Sequence, residues 1–153
     1  MYEVKSVGLA EAEVAGKAII QEASKSGRPV VVAIVAPDGY LVYLARMDRT
    51  PWHAVYMAIR KAYSSARMRS NTRKTGEYLK ENGWIDLGSS HGDDVTLVPG
   101  GVSIVEPAEG KAEGGPLRTS YGGIGISGRL ADEDEALALV GLKALQKYLW
   151  PDS

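Results

Sequence analysis

The sequence predicts an α+β fold, an antiparallel β-sheet flanked by helices, and three observations carry that prediction. Apolar residues recur at helical spacing near both ends of the chain and in its middle. Between those stretches lie short β-branched runs closed by glycine-containing turns. The resulting order, α-β-β-α-α-β-β-α, joins its strands by hairpins, without the crossovers of a parallel sheet. At 153 residues, 44% hydrophobic and 24% charged, the chain reads as a single domain over residues 1–153.

The first helix is expected from Ser6 to Ser26. Ser6 is placed to cap it, Glu11 and Glu13 suit its positive end, and Ala12, Ala15, Ile19 and Ala23 make one apolar stripe. Gly27-Arg28-Pro29 stops it. The run VVVAIVAP from Val30 is continuously β-branched or apolar, as in a strand covered on both faces. Asp38-Gly39 then turns the chain into a second strand, Tyr40 to Asp48.

Thr50 and Pro51 open the next helix, which runs to about Ser70 with Val55, Ile59, Ala62 and Ala66 facing inward. A short helix from Thr72 to Asn82 is closed by Gly83, and a polar loop follows from Trp84 to Asp94. VTLVPGGVSIVEP predicts a strand broken at Pro99-Gly100-Gly101 and resumed to Glu106. A glycine-rich tip, Ala108 to Pro116, leads back through a strand from Leu117 to Ile126. The last helix spans about Ala131 to Trp150, with four acids at its positive end. Its leucines cover a wide arc, which suits either a core helix or one that also forms a subunit contact.

Composition excludes several functions. A formal charge of −1 gives no pull toward nucleic acid, and no apolar run is long enough to span a membrane. Without cysteine there are no disulfides, thiolate chemistry or cysteine zinc sites. The N-terminal residues lack an apolar signal core, so the chain reads as cytoplasmic.

The stretch GGIGISG contains Gly123-x-Gly125-x-x-Gly128, the spacing of a dinucleotide fingerprint, and Gly125-Ile126-Ser127-Gly128, the start of a nucleophile elbow. Neither assignment fits. The fingerprint belongs after the first strand of a βαβ unit, whereas here it precedes the final helix. The elbow requires glycine at position 129, which is Arg129, and a histidine beyond the serine, of which there is none. Close passage of a strand against a neighbouring element explains the glycines better. Backbone N–H groups at Ser127 and Gly128 would offer an anion a weaker site, because four acids already occupy that helix terminus.

Arg60, Lys61, Arg67, Arg69, Arg73 and Lys74 form the strongest local signal, a basic cluster without an acid between Arg60 and Lys74. Most of these side chains suit a solvated helix face. His53, Met57, Lys61 and Ser64 or Ser65 share a separate stripe, where a sheltered Lys61 would anchor an anion or act as base or Schiff-base nucleophile. His53 would be an acid/base group at the pocket mouth, and Met47 and Met57 would face a flat apolar ligand. Pro99, Gly100, Gly101, Ser127 and Gly128 would line the same pocket. His91 with Asp86, Asp93 and Asp94 holds no metal-motif spacing and reads as a polar loop; no metal is expected.

Four segments in order, VVVAIVAPDGYLVYLARMD, AIRKAYSSAR, VPGG and GGIGISG, resemble the GlcG/HbpS family across Leu9 to Leu145. This haem-degrading-domain family also supplies the C-terminal domain of PduO-type cobalamin adenosyltransferases. The resemblance implies a profilin-like fold and homo-oligomers. It also links the chain to haem binding, iron-dependent haem breakdown and small-molecule catabolism. Lys61 falls on the family's "KA" lysine. The chain departs from the pattern in three places: no histidine lies between Leu9 and Ser26, where haem-binding members place an axial ligand; Ser103 replaces a proline; and the tip PAEGKAEGGPLRTS is longer. The leading expectation is a small organic anion in the Lys61 pocket, with haem as the runner-up cofactor and a non-catalytic accessory subunit as the third possibility.

Overall fold

The computed structural model describes residues 1–83, 94–107 and 119–152. Its elements follow the expected order: α1 (Leu9–Lys25), β1 (Val31–Val35), β2 (Leu41–Arg46), α2 (His53–Met68), α3 (Thr72–Glu81), β3 (Gly101–Ile104), β4 (Gly122–Ser127) and α4 (Ala131–Leu149). The strands form one antiparallel sheet in the order β2-β1-β4-β3. β1 is central and buried at every position, as its continuous apolar run requires. The polar loop with His91 and most of the glycine-rich tip lie outside the described residues.

The two faces of the sheet carry separate cores. Val30, Val32, Ile34, Val102, Ile104, Ile124 and Ile126 meet α1 and α4 through Ile19, Leu137, Leu145 and their alanines. Val31, Ala33 and Val35 face α2 through Ala54, Ala58, Ala62 and Ala66. On this second face β4 contributes glycines. A Cβ on Gly125 would lie 2.0 Å from the Ala58 carbonyl oxygen, and one on Gly123 would lie 2.3 Å from that of Ala62. The glycines therefore let α2 rest backbone-to-backbone on β4, the close passage expected of GGIGISG.

That contact corrects half of the expected stripe of α2: Ala62 and Ala66 face inward as expected, Val55 and Ile59 do not. The buried residues are Ala54, Ala58, Lys61, Ala62, Ser64, Ser65 and Ala66, while Val55 and Ile59 are only partly buried. Small residues face the glycines because only they fit the space; the larger aliphatics are turned to the flank. Thr50 does not cap α2 either. Its buried hydroxyl donates to the Met47 carbonyl at 2.6 Å, and the helix begins at His53. At α1 the cap residue is Gly8, not Ser6, and its N–H donates to the Glu11 carboxylate at 3.0 Å.

Val95–Val98, expected to be a strand, makes no ladder. Side chains tie it down instead: the Thr96 N–H donates to Ser64 Oγ at 2.8 Å and Thr72 Oγ1 donates to the Val98 carbonyl at 2.9 Å. No helix among the described residues is long and apolar enough to cross a membrane.

Candidate functional site

The stripe of α2 that carries Lys61 turns toward β3, β4 and the start of α4. Lys61 is 2% exposed. Its ammonium donates to the Ile126 carbonyl at 2.9 Å and to Asp134 Oδ2 at 2.9 Å. Asp134 is buried as well, and its other oxygen accepts the Arg129 N–H at 3.0 Å. Burial pushes the Asp134 carboxyl above the ordinary carboxylate range, against the pull of Lys61. Two of the ammonium's three donors are used, so one has no acceptor among the described residues.

Gly100 closes the pair from above. A Cβ there would sit 2.9 Å from Lys61 Nζ and 2.9 Å from Asp134 Cβ, and its φ of +119° is one that side chains rarely adopt. Gly101 lies against the Lys61 carbonyl, where a Cβ would come within 2.4 Å. Lys61, Gly100, Gly101 and the strand end at Ile126-Ser127 thus gather at one place, with the partly buried Pro99 preceding the glycines. Ser127 is 8% exposed in the sheet, paired with Val31. Gly128 is exposed and packs toward Pro29, Val30 and Thr50.

Three residues expected nearby are placed differently. Met47 packs into the α1/α4 core, on the opposite face of the sheet from Lys61. His53 is exposed at the first residue of α2, about 12 Å along the helix from Lys61. Met57 is partly buried, one turn before Lys61. Among the described residues no cluster of histidine and carboxylate groups could hold a metal ion.

The acids of α4 are each matched to a cation. Asp134 holds Lys61, Glu133 holds Arg28, and Asp132 and Glu135 both hold Arg73. Within the basic cluster this neutralises Lys61 and Arg73. Arg60 is different. It is partly buried, its Nε is sealed from solvent, and it has no hydrogen-bond or ion-pair partner among the described residues.

Sequence reasoning missed Asp134 and the singular state of Arg60. A signal for Asp134 was present: Asp134, Leu137, Ala138, Gly141 and Leu145 form the buried stripe of α4, and an acid on an apolar stripe implies a buried cation. Arg60 carries no such signal, since nothing in its local sequence sets it apart from the other cations of the cluster.

Fold and site together define an α+β protein with an open antiparallel sheet, whose α2 lies against a glycine strand and carries at its middle a lysine paired with a buried aspartate. The family follows from the sequence: residues 7–143 match the HbpS-like haem-degrading protein family, and the chain belongs to it. No curated protein matches the chain in sequence. Solved structures share the fold. Klebsiella pneumoniae protein ORFY, of family DUF336, is 19% identical with a TM-score of 0.80, covering 95% of this chain and 94% of that one. A double mutant of Streptomyces reticuli HbpS is 24% identical with a TM-score of 0.77, covering 95% and 90%. A PduOC–haem complex is 21% identical with a TM-score of 0.74, covering 91% and 94%.

Proposed function

We propose that the protein binds a small organic anion beside the middle of α2, with Arg60 as the anchoring cation. One observation carries this reading: the Arg60 side chain is partly buried and unpaired among the described residues, whereas Lys61 and Arg73 of the same basic cluster are already neutralised. A half-buried guanidinium without a partner is costly, and a carboxylate or phosphate in bidentate contact is its natural complement. Lys61 then has a different task from the one its position suggests. Paired with Asp134 under Gly100, it fixes α2, β4 and α4 relative to one another. Self-association into a homo-oligomer, as the family resemblance implies, belongs to the same proposal.

Haem is the second reading, favoured by the family description and by the haem complex of a structural relative. The described residues suit it less well. α1 contains no histidine, His53 is exposed, and Met47 lies on the other face of the sheet. Arg60 would suit a haem propionate, but no buried axial ligand accompanies it among these residues.

Thermal-shift measurements with citrate and with hemin separate the readings. Citrate is expected to raise the Tm of the wild type and to lose that effect in Arg60→Gln, whose unliganded Tm stays close to wild type. A sharp Soret band on adding hemin, lost in His53→Ala, with no response to citrate, would replace the anion by haem.

A further inference from the structure

A second cleft lies at the opposite end of α4 from Asp134, about 22 Å away along the helix. It is formed by the segment before α1, the residues after β3 and the last turn of α4, and it holds about 340 Å³. That volume suits a small organic molecule. Its floor is apolar and aromatic. Val7 is buried there, Leu149 packs beside it, and the rings of Tyr121 and Trp150 meet at 5.5 Å, tilted by 57°.

The polar groups around this floor are arranged asymmetrically. Glu11 and Glu106 stand on the lining, with Lys5 as the one cation among the lining residues. Each carboxylate has one oxygen committed to the protein. Glu11 Oε2 accepts the Gly8 N–H at 3.0 Å, and Glu106 Oε1 accepts the Tyr121 hydroxyl. These bonds hold both carboxylates in place and leave each with a second oxygen for a ligand. Two tethered carboxylates on the lining of a cleft that also holds aromatic rings are the chemistry that recognises a positively charged nitrogen, through ion pairing and cation–π attraction.

We propose that this cleft is a second ligand site, which takes an organic cation: an ammonium carried on a compact apolar or aromatic body. The site is independent of the anion reading at Arg60 and opposite to it in charge preference. Glu11 and Glu106 receive the ammonium, and the Tyr121–Trp150 pair packs on the body. Lys5 works against the ligand and sets its affinity.

Titration of isotope-labelled protein with benzylammonium, followed at the Trp150 indole signal assigned by Trp150→Phe, tests this. Benzyl alcohol and benzoate carry the same ring with no charge and with the opposite charge. Benzylammonium is expected to shift the signal saturably, benzyl alcohol about fivefold more weakly, and benzoate not at all. Glu106→Gln is expected to weaken benzylammonium binding about fivefold, and Lys5→Ala to tighten it. Tyr121→Phe keeps the Glu106 carboxylate while removing its hydroxyl partner, and is expected to retain charge selectivity even if the affinity falls. An indole signal that benzylammonium does not move, benzoate binding as tight as benzylammonium, or loss of binding in Lys5→Ala would each overturn the proposal.

Discussion

On the α1/α4 face of the sheet, Ile34, Ile104, Ile124 and Ile126 interlock with Ile19, Leu137 and Leu145, so the layers are held apart by large side chains. On the α2 face, β4 presents Gly123 and Gly125, and the helix answers with Ala58 and Ala62, so backbone nearly touches backbone. The first face gains its stability from apolar area and tolerates small changes of shape. The second gains from proximity and tolerates no added atom on β4. The ion pair sits on this same face, where Lys61 reaches the end of β4 at Ile126 and Asp134 on α4.

Substitutions should separate the two faces. Gly125→Val is expected to have the largest effect, a loss above about 3 kcal/mol or failure to fold, because its atoms must displace helix backbone. Chemical denaturation or expression in the soluble fraction reads this; near-wild-type stability would mean that α2 can lift from the sheet. Next comes the ion pair. Asp134→Leu leaves a buried, uncompensated ammonium and should cost about 3–5 kcal/mol, whereas Lys61→Met combined with Asp134→Leu should recover at least half of that loss. Full additivity of the two single losses in the double variant would mean that the groups do not act as a pair. On the opposite face, Ile124→Val should cost only about 0.5–1.5 kcal/mol by the same denaturation measurement.

The smallest effect is at the exposed end of α4. Arg28 holds the Glu133 carboxyl below the ordinary carboxylate range. Its folded pKa is thus depressed, so its stabilising contribution is present above the ordinary carboxylate pKa and is lost as pH falls through the folded value. Glu133→Gln should remove that part of the acid dependence. Raised salt should shrink the difference between wild type and variant, since the pair is solvent-exposed.

Much of this architecture was legible in the sequence because it rests on local chemistry. The β-branched run at Val30, the Asp38-Gly39 turn and the four acids opening α4 each specify their element within a few residues. GGIGISG was legible as a close passage, since its position before the last helix excluded nucleotide binding. The inward stripe of α2 was legible only in its second half, at Ala62 and Ala66. Ranking by hydrophobicity selects Val55 and Ile59, and only the glycines of β4, about 60 residues later, make alanine the better fit. Asp134 could be read as a buried acid from the apolar stripe of α4, but its partner could not, being 73 residues away in sequence. Pairing converted Lys61 from the obvious anion anchor into a fixed strut and left Arg60 as a partly buried cation of the cluster whose side chain is unpaired among the described residues.

Calorimetric titration of citrate into three proteins tests the central claim most directly: wild type, Arg60→Gln, and the Lys61→Met/Asp134→Leu double variant. Arg60→Gln is predicted to lose about tenfold or more in affinity, the worth of a charge-assisted contact, while the double variant stays within about threefold of wild type. The reverse pattern, with binding intact in Arg60→Gln and abolished in a folded double variant, would contradict the assignment of Arg60 as the anchor and return that role to Lys61.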